Sequence, residues 1–326
     1  MKIMLYGSPV ATLEVGLRDR LGPAACFVTA DYSDPPEILA ERLDGCEAMV
    51  AVRYNDAVPA TDTIRLIQIP GLGYDEIDFE SLPPYAALCN VGEHAPAVAE
   101  YTIGALLARA TNLIEQDTAF RAGNWTGSSR MGASPHGELV GSRVGIVGYG
   151  AIGRALATRL RPFGTDIAIC NRSHPTDLDA DIAYHPLSSL ADMAAECNIL
   201  IVTVALTPET TGMIDETVLA ALPQGAVLVN VARGPVVSED ALYRTLSNGH
   251  LGGAILDVWW SYPADVTDTE ARSSRYDFTQ FPSVIVTPHI SGWSSGTLSR
   301  RLDVIARNIL RTTTGEPFEN LVRKGS

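Results

Sequence analysis

The six residues Gly148-Tyr149-Gly150-Ala151-Ile152-Gly153 follow the apolar run VGIV and open into a helix-forming stretch, RALATRLRPFG. This is G-x-G-x-x-G in a strand–turn–helix setting. The first glycine permits a tight turn, the second lets the backbone approach a pyrophosphate, and the third lets helix and strand pack closely. N–H groups and the dipole at the helix N-terminus favour the phosphates. The expected chemistry is dinucleotide binding, with Gly148, Gly150, Ala151, Ile152 and Gly153 around the pyrophosphate. After the next strand, DIAIC, an acid for the ribose hydroxyls of NAD would be usual, yet Asn171-Arg172-Ser173 stand there. A carboxylate repels a 2′-phosphate, whereas a guanidinium pairs with it. The reading favours NADP. NAD stays open if Arg172 is a solvated loop charge and Asn171 holds the 2′-hydroxyl.

A second stretch, LDVWWSYP at residues 256–263, closes the apolar run GGAILDVWW. Nothing after Asp257 in it ionises near neutral pH. It is either a core strand with an aromatic end or an active-site edge that lacks an acid.

These stretches sit in a chain of alternating elements. KIMLYG, ACFVTA, EAMVAV and RLIQIP read as strands, with VATLEVGLRDRLG and PPEILAERLDG as helices between them. Such βα alternation implies a parallel sheet with helices on its faces. Residues 97–119 form one long helical pattern. Its first half is apolar or small nearly all round, which predicts burial on several sides, as between two domains or two subunits. A Gly- and Ser-rich loop, RAGNWTGSSRMGASPHGE, precedes a second βα series that begins at SRVGIVGYG. That series continues through DIAIC, NILIVTV, AVLVNVA, GAILDVW and SVIVTPH, and a helical GTLSRRLDVIARNILRTTTG ends the pattern.

At 326 residues the chain exceeds what one core usually holds, so two domains are expected. A net charge of −14 argues against a nucleic-acid partner. The five cysteines are odd in number, widely spaced and without C-x-x-C. They suggest neither a disulfide framework nor a metal site, and a reducing, cytoplasmic setting is the default. MKIMLYGSP is too short for a signal peptide, and no run reaches the length of a membrane span.

Taken in order, LVGSRVGIVGYGAIGRALA, ALTPETTGMID, VLVNVARGPVVSEDAL, GGAILDVW and VTPHISGW resemble the D-2-hydroxyacid dehydrogenase family. VRYND, GLGYDEIDFE, VAEYTIGALL and RAGNW extend the resemblance over nearly the whole chain. It implies an α/β fold of two Rossmann-like domains. A flavodoxin-like substrate domain would comprise residues 1–97 and 293–326, and a doubly wound dinucleotide-binding domain residues 98–292. The long helix would form a homodimer.

The resemblance also assigns roles. Arg233 in NVARG would bind and polarise the 2-oxo acid, and His289 in VTPHISG would donate the proton. Backbone N–H groups at Leu72 and Gly73 would hold the substrate carboxylate. Thr207, Pro208 and Ala232 would line the cofactor, and Asp257 would hold the nicotinamide carboxamide. Arg53 in VRYND either holds an extra anionic group or is a surface charge. Trp260 and Trp293 line an apolar substrate pocket or pack a domain junction, and His94 is a minor candidate near the substrate. The activity implied is NAD(P)H-dependent reduction of a small 2-oxo acid, such as glyoxylate or hydroxypyruvate, to a D-2-hydroxy acid. Two alternatives stay open: a non-catalytic nucleotide-sensing partner protein, and a hydride-only reaction like that of the family's formate dehydrogenases, which Asn90 would suit.

One position departs from the pattern. The family usually places Glu before a Pro next to its histidine, and here the pair is Tyr262-Pro263. Three readings follow. His289 works without a carboxylate partner, which lowers its pKa, while the Tyr262 hydroxyl orients the ring. The reaction needs no proton. Or Asp265 or Asp268 supplies the acid.

Overall fold

A computed structural model describes residues 1–263, 268 and 270–325. Its strands are β1 (Lys2–Tyr6), β2 (Cys26–Ala30), β3 (Ala48–Ala51), β4 (Leu66–Gln68), β5 (Ala87–Cys89), β6 (Arg143–Val147), β7 (Asp166–Asn171), β8 (Ala183–Pro186), β9 (Ile199–Val202), β10 (Val227–Asn230), β11 (Gly253–Leu256), β12 (Val284–Val286) and β13 (Leu321–Arg323). They fall into two compact units. Unit 1 is Met1–Glu93 with Ser294–Ser326, and unit 2 is His94–Trp293. The sequence placed these crossings at 97/98 and 292/293. The first crossing precedes the helix Ala95–Ala110, so that helix lies whole within unit 2.

In unit 1 the strand order is β13-β5-β4-β3-β1-β2. β1 to β5 are parallel and β13 is antiparallel on β5. The parallel part has the flavodoxin-like order 2-1-3-4-5. The last helix, Ser295–Thr314, belongs here, a link the sequence pattern did not reveal. It contributes Leu302, Val304, Ile305 and Ile309 to a cluster with Ile3, Leu5, Val50 and Leu66. Polar side chains fix the attachment as well. The Gln68 amide, wholly buried, donates to the carbonyls of Ile69, Cys89 and Asn90 and accepts from Asn308 Nδ2 at 2.8 Å. Asn308 in turn accepts from the Glu319 N–H at 2.8 Å, just before β13.

Unit 2 has the order β12-β11-β10-β9-β6-β7-β8, all parallel. This is a doubly wound sheet with β6 at the point where the order reverses. β9 and β11 are buried along their whole length, as expected of a sheet covered on both faces. Alternate residues serve opposite cores. Val147, Leu200, Val202 and Leu228 join one cluster, and Ile146, Ile199, Ile201 and Val229 join the other.

Two expectations are corrected. The single helix expected over 97–119 is two helices, Ala95–Ala110 and Leu113–Arg121. Asn112 between them takes the left-handed conformation with φ 51°, which Asn tolerates better than most residues. The Thr111 hydroxyl also turns back onto the Leu107 carbonyl at 2.8 Å. The first helix buries Val98, Ala99, Ile103 and Leu106, whereas the second buries nothing. Likewise the helix expected over 10–22 is divided into Ser8–Ala11 and Glu14–Leu21.

All five cysteines are free thiols, and only Cys26 is exposed. Burial pushes the Cys46, Cys170 and Cys197 thiols up to about 11 and Cys89 to about 12. Among the described residues no helix is long and apolar enough to cross a membrane. No group of three or more His, Cys, Asp or Glu among them is placed to hold a metal ion.

Candidate active site

Strand register brings the candidate residues of unit 2 to one edge. Cys170 pairs with Val147, Val147 with Val202, Val202 with Asn230, Asn230 with Leu256, and Leu256 with Val286. That row ends or nearly ends each strand. The residues next in sequence are Asn171, Gly148, Thr203, Val231, Asp257 and Thr287. Six candidate segments therefore leave the sheet at its carboxyl end, where ligands bind in such folds.

At Gly148–Gly153 the three glycines differ. Gly148 has φ 96°, and a Cβ there would come within 2.9 Å of Val204. At Gly153 a Cβ would lie 2.3 Å from the Gly148 carbonyl oxygen, so the helix Ala151–Leu160 could not dock. At Gly150 a Cβ would meet nothing. Its φ of −81° is open to any residue, so this glycine keeps space clear in front of the helix N-terminus. A clear cradle lined by backbone N–H groups fits a pyrophosphate. The Thr203 hydroxyl donates to the Gly148 carbonyl at 2.8 Å and braces the turn.

The last residue of β7 and the two that follow it divide the work. Asn171 Oδ1 accepts from the Tyr149 N–H at 3.4 Å, and its Nδ2 donates to the Ser173 carbonyl at 2.9 Å. Asn171 thus ties the glycine loop to its own turn. Arg172 and Ser173 are exposed. Thr207 and Pro208 are exposed on the loop after β9, which Thr210 holds by accepting from the Thr207 N–H at 2.8 Å.

Arg233 is half-buried and extended, with φ −146°. Asn230, fully buried, accepts from the Ala232 N–H at 3.1 Å and donates to the Arg233 carbonyl at 2.9 Å. Gly234 allows the backbone of Trp259 to pass so closely that a Cβ would sit 2.2 Å from it. The arginine loop and the LDVWW segment are therefore in backbone contact.

LDVWWSYP starts as a core strand, and its aromatic end runs beside the His289 turn. Leu256 ends β11, and Asp257 and Val258 are buried. Trp259 Nε1 donates to the Thr287 carbonyl at 3.0 Å. Trp260 packs against Phe278, ring centroids 5.5 Å apart, and donates to the Val237 carbonyl at 2.9 Å. Trp260 thus packs, partly buried, against the core of unit 2. Tyr262 is 46% exposed. Its ring centroid lies 5.6 Å from that of His289, and its hydroxyl accepts from the Trp259 N–H at 3.2 Å. An aromatic ring thus stands beside the exposed His289. Asp268 is exposed, and Asp265 lies outside the described residues.

The chain beyond that loop is anchored by Glu239, which is buried. It accepts from the Ser274 hydroxyl at 2.7 Å, the Arg275 N–H at 2.6 Å and Arg275 Nε at 2.7 Å. Burial raises its pKa, but these hydrogen bonds outweigh burial and hold the carboxyl below the usual range.

Asp257 is wholly buried, and the bonds its carboxylate accepts come from the His289 turn. It accepts from the Thr287 hydroxyl at 2.5 Å, the Ile290 N–H at 2.8 Å and the Ser291 N–H at 2.8 Å. His289 itself has φ 60°, a costly conformation for a non-glycine residue. Trp293 is 59% exposed at the end of this turn.

In unit 1 the Leu72 carbonyl accepts from Asn90 Nδ2 at 2.8 Å, and the Gly71 carbonyl from the Val91 N–H at 2.8 Å. The Leu72-Gly73 turn is thereby fixed to β5. Arg53 Nε donates to Glu76 at 3.0 Å, and its guanidinium lies 5.0 Å from the Tyr32 ring centroid. His94 is half-buried, immediately before the helix Ala95–Ala110 in unit 2. Sequence reasoning missed Asn230 and Thr287. Their one available signal was a polar residue at the end of an otherwise apolar strand.

Comparison with known proteins follows the same lines. Residues 103–291 match the family profile "D-isomer specific 2-hydroxyacid dehydrogenase, NAD binding domain". A glyoxylate reductase from Thermococcus kodakarensis is 30% identical over 302 residues, 89% of this chain and 87% of that one. An NADPH-dependent glyoxylate/hydroxypyruvate reductase from Sinorhizobium meliloti, solved with NADP and malonate, superposes with TM-score 0.80 at 28% identity, covering 98% of this chain and 96% of that one. A formate dehydrogenase from Granulicella M. superposes with TM-score 0.82 at 20% identity, covering 100% and 98%. That last likeness speaks for the fold alone.

The two glycines separate binding from folding. Gly150→Ala is expected to leave the melting temperature unchanged and weaken nucleotide binding by about tenfold or more, because a methyl fills the cradle. Gly153→Ala is expected to destabilise the protein by about 2 kcal/mol or more. Thermal melts and nucleotide titrations of the two variants check this. Equal behaviour of both would contradict the assignment.

Proposed function

The chain belongs to the D-isomer specific 2-hydroxyacid dehydrogenase family, and on that premise we propose that it reduces a small 2-oxo acid to a D-2-hydroxy acid, with NADPH as the preferred reductant. One observation carries the reading. The loops bearing Arg233 and His289 leave the same in-register sheet edge as the glycine loop. Glyoxylate and hydroxypyruvate, named for the relatives above, are the first substrates to consider.

When bound, the dihydronicotinamide supplies the hydride. The residues of the chain do the rest. The pyrophosphate is assigned to the backbone from Gly148 to Gly153, with Ala232, Thr207 and Pro208 lining the dinucleotide. The Arg233 guanidinium pairs with the substrate carboxylate and polarises the 2-oxo group, which a planar fork of donors suits. His289 gives its proton to the carbonyl oxygen as negative charge develops there. Asp257, assigned to the nicotinamide carboxamide, also holds the His289 turn, from which its carboxylate accepts three bonds. In unit 1, the Leu72-Gly73 turn offers backbone N–H groups for a carboxylate, and Arg53 offers a guanidinium steadied by Glu76 and Tyr32. Trp293 is assigned to the substrate side chain.

Arg172 and the lack of an acid after β7 support NADP. Buried, unpaired cysteines accord with a reducing cytoplasm. The formate reading rests on Asn90, whose amide donates to the Leu72 carbonyl, and no observation favours it. For a homodimer, the helix Leu113–Arg121 offers Leu113, Ile114 and Phe120, each more than half exposed, with Trp125 set edge-on to Phe120 at 5.1 Å. An apolar surface of this kind suits a second copy.

Five measurements test these assignments. Initial rates with NADPH and NADH against a panel of 2-oxo acids should show turnover that favours NADPH. Arg233→Gln and His289→Gln should lower kcat/KM by on the order of a hundredfold. Arg172→Asp should reverse the coenzyme preference, and no turnover despite tight nucleotide binding would mark a nucleotide sensor. Reduction requires the imidazolium, so its rate falls as pH rises through the His289 pKa. Tyr262→Glu places a carboxylate beside that ring and should move the fall to higher pH by about one unit; an unmoved limb would remove Tyr262 from the site. Sedimentation should give a dimer mass that Ile114→Glu with Phe120→Glu converts to monomer.

A further inference from the structure

Tyr101 lies on the helix Ala95–Ala110, far in sequence from the His289 turn and absent from every candidate list above. Its hydroxyl is 2.5 Å from Thr287 Oγ1. Thr287 donates its only hydroxyl hydrogen to Asp257 Oδ1, also at 2.5 Å. Tyr101 must therefore be the donor in the first bond. The direction of the chain is set: Tyr101 O–H to Thr287, Thr287 O–H to the Asp257 carboxylate. Three donors face that carboxylate, which is the pattern an ionised acid takes.

The far side of Asp257 holds two successive backbone N–H groups, those of Ile290 and Ser291. Consecutive N–H groups turned toward one anion form a concave nest, and a left-handed residue is one way to build it. His289, with φ 60°, is that residue. The conformation is costly for a non-glycine residue, and the two N–H groups held on the carboxylate offset that cost. The same φ fixes the direction in which the imidazole leaves the backbone, beside the Tyr262 ring at 5.6 Å.

We propose that Tyr101 is a positioning residue for the reaction. Through Thr287 it aims the Asp257 carboxylate into the nest that holds His289 in its strained, proton-donating orientation. The proposal rests on His289 being the proton donor. Tyr101 touches neither substrate nor cofactor in this role. Its ring packs, partly buried, against one of the two cores of unit 2, and Tyr101→Phe keeps that ring while removing the oxygen.

The test uses the full chain and two readouts. The first is kcat and KM for the best 2-oxo acid, with the NADPH Kd measured separately. Tyr101→Phe is expected to lower kcat by about threefold to tenfold, with the NADPH Kd unchanged. Thr287→Val should do the same or more, and Thr287→Ser, which keeps the hydroxyl, should restore the parent rate. Because both act through one chain of bonds, Tyr101→Phe/Thr287→Val should be no slower than Thr287→Val alone. The second readout is the NMR spectrum of histidine ring carbons, with the His289 signal assigned by its loss in His289→Gln. That signal should shift or broaden in Tyr101→Phe. Losses that multiply in the double variant, or a Tyr101→Phe protein equal to the parent in rate and in the His289 signal, would overturn the proposal. Should the parent show no turnover, the NMR readout decides alone: a displaced signal upholds the positioning role while the reductase reading falls, and an undisplaced one removes both.

Discussion

Hydrogen bonds between parallel strands form only where the strands advance together, and in unit 2 they advance to a common level. Val147, Val202, Asn230, Leu256 and Val286 lie side by side, so each chain leaves the sheet at the same height. What the loops carry is a matter of local sequence. That they meet is a matter of register, and a slip of one residue in any strand would turn its whole apolar set to the wrong face. The chemistry assigned to Arg233 and His289 presupposes this levelling.

Much of this was legible in the residues themselves. The glycine loop carries its own strand and helix flanks, and alternating elements with wholly apolar strands specify parallel sheets. The dehydrogenase resemblance extended this to the doubly wound and flavodoxin-like arrangements. Three things were hidden, each for a physical reason. The break at Asn112 depends on one residue adopting φ 51°, against a helical periodicity that runs on through it. The membership of the last helix in unit 1, which the family resemblance implied and the residue pattern did not, rests on contacts between residues far apart in sequence, Asn308 with Gln68 among them. The bonds of Asp257 depend on where the turn after β12 folds back, and an acid at a strand end reads equally well as a ligand contact or as a brace.

Buried polar groups do the joining throughout. An unsatisfied carboxylate or amide out of water is costly, and the cost disappears only when particular donors arrive. Gln68 therefore selects the last helix, Asp257 selects the His289 turn, and Glu239 selects the segment at Ser274 and Arg275. Apolar contact fills the cores but tolerates rearrangement. These three side chains specify which distant pieces attach, and two of the three attachments flank the candidate active site. Tyr262, beside His289, sits on the stretch between two of them.

Unit 1 is assembled from both ends of the chain, whereas unit 2 is one uninterrupted segment. On a ribosome the order of appearance is therefore not the order of completion. β1 to β5 emerge first, yet the helix that covers their inner face and the strand that closes their edge come last. Unit 2 has all its strands in hand before that helix is made, and domains tend to fold as units. Through most of synthesis the apolar face of Ile3, Leu5, Val50 and Leu66 lacks the helix that covers it, so the segment made before unit 2 has its core completed after it.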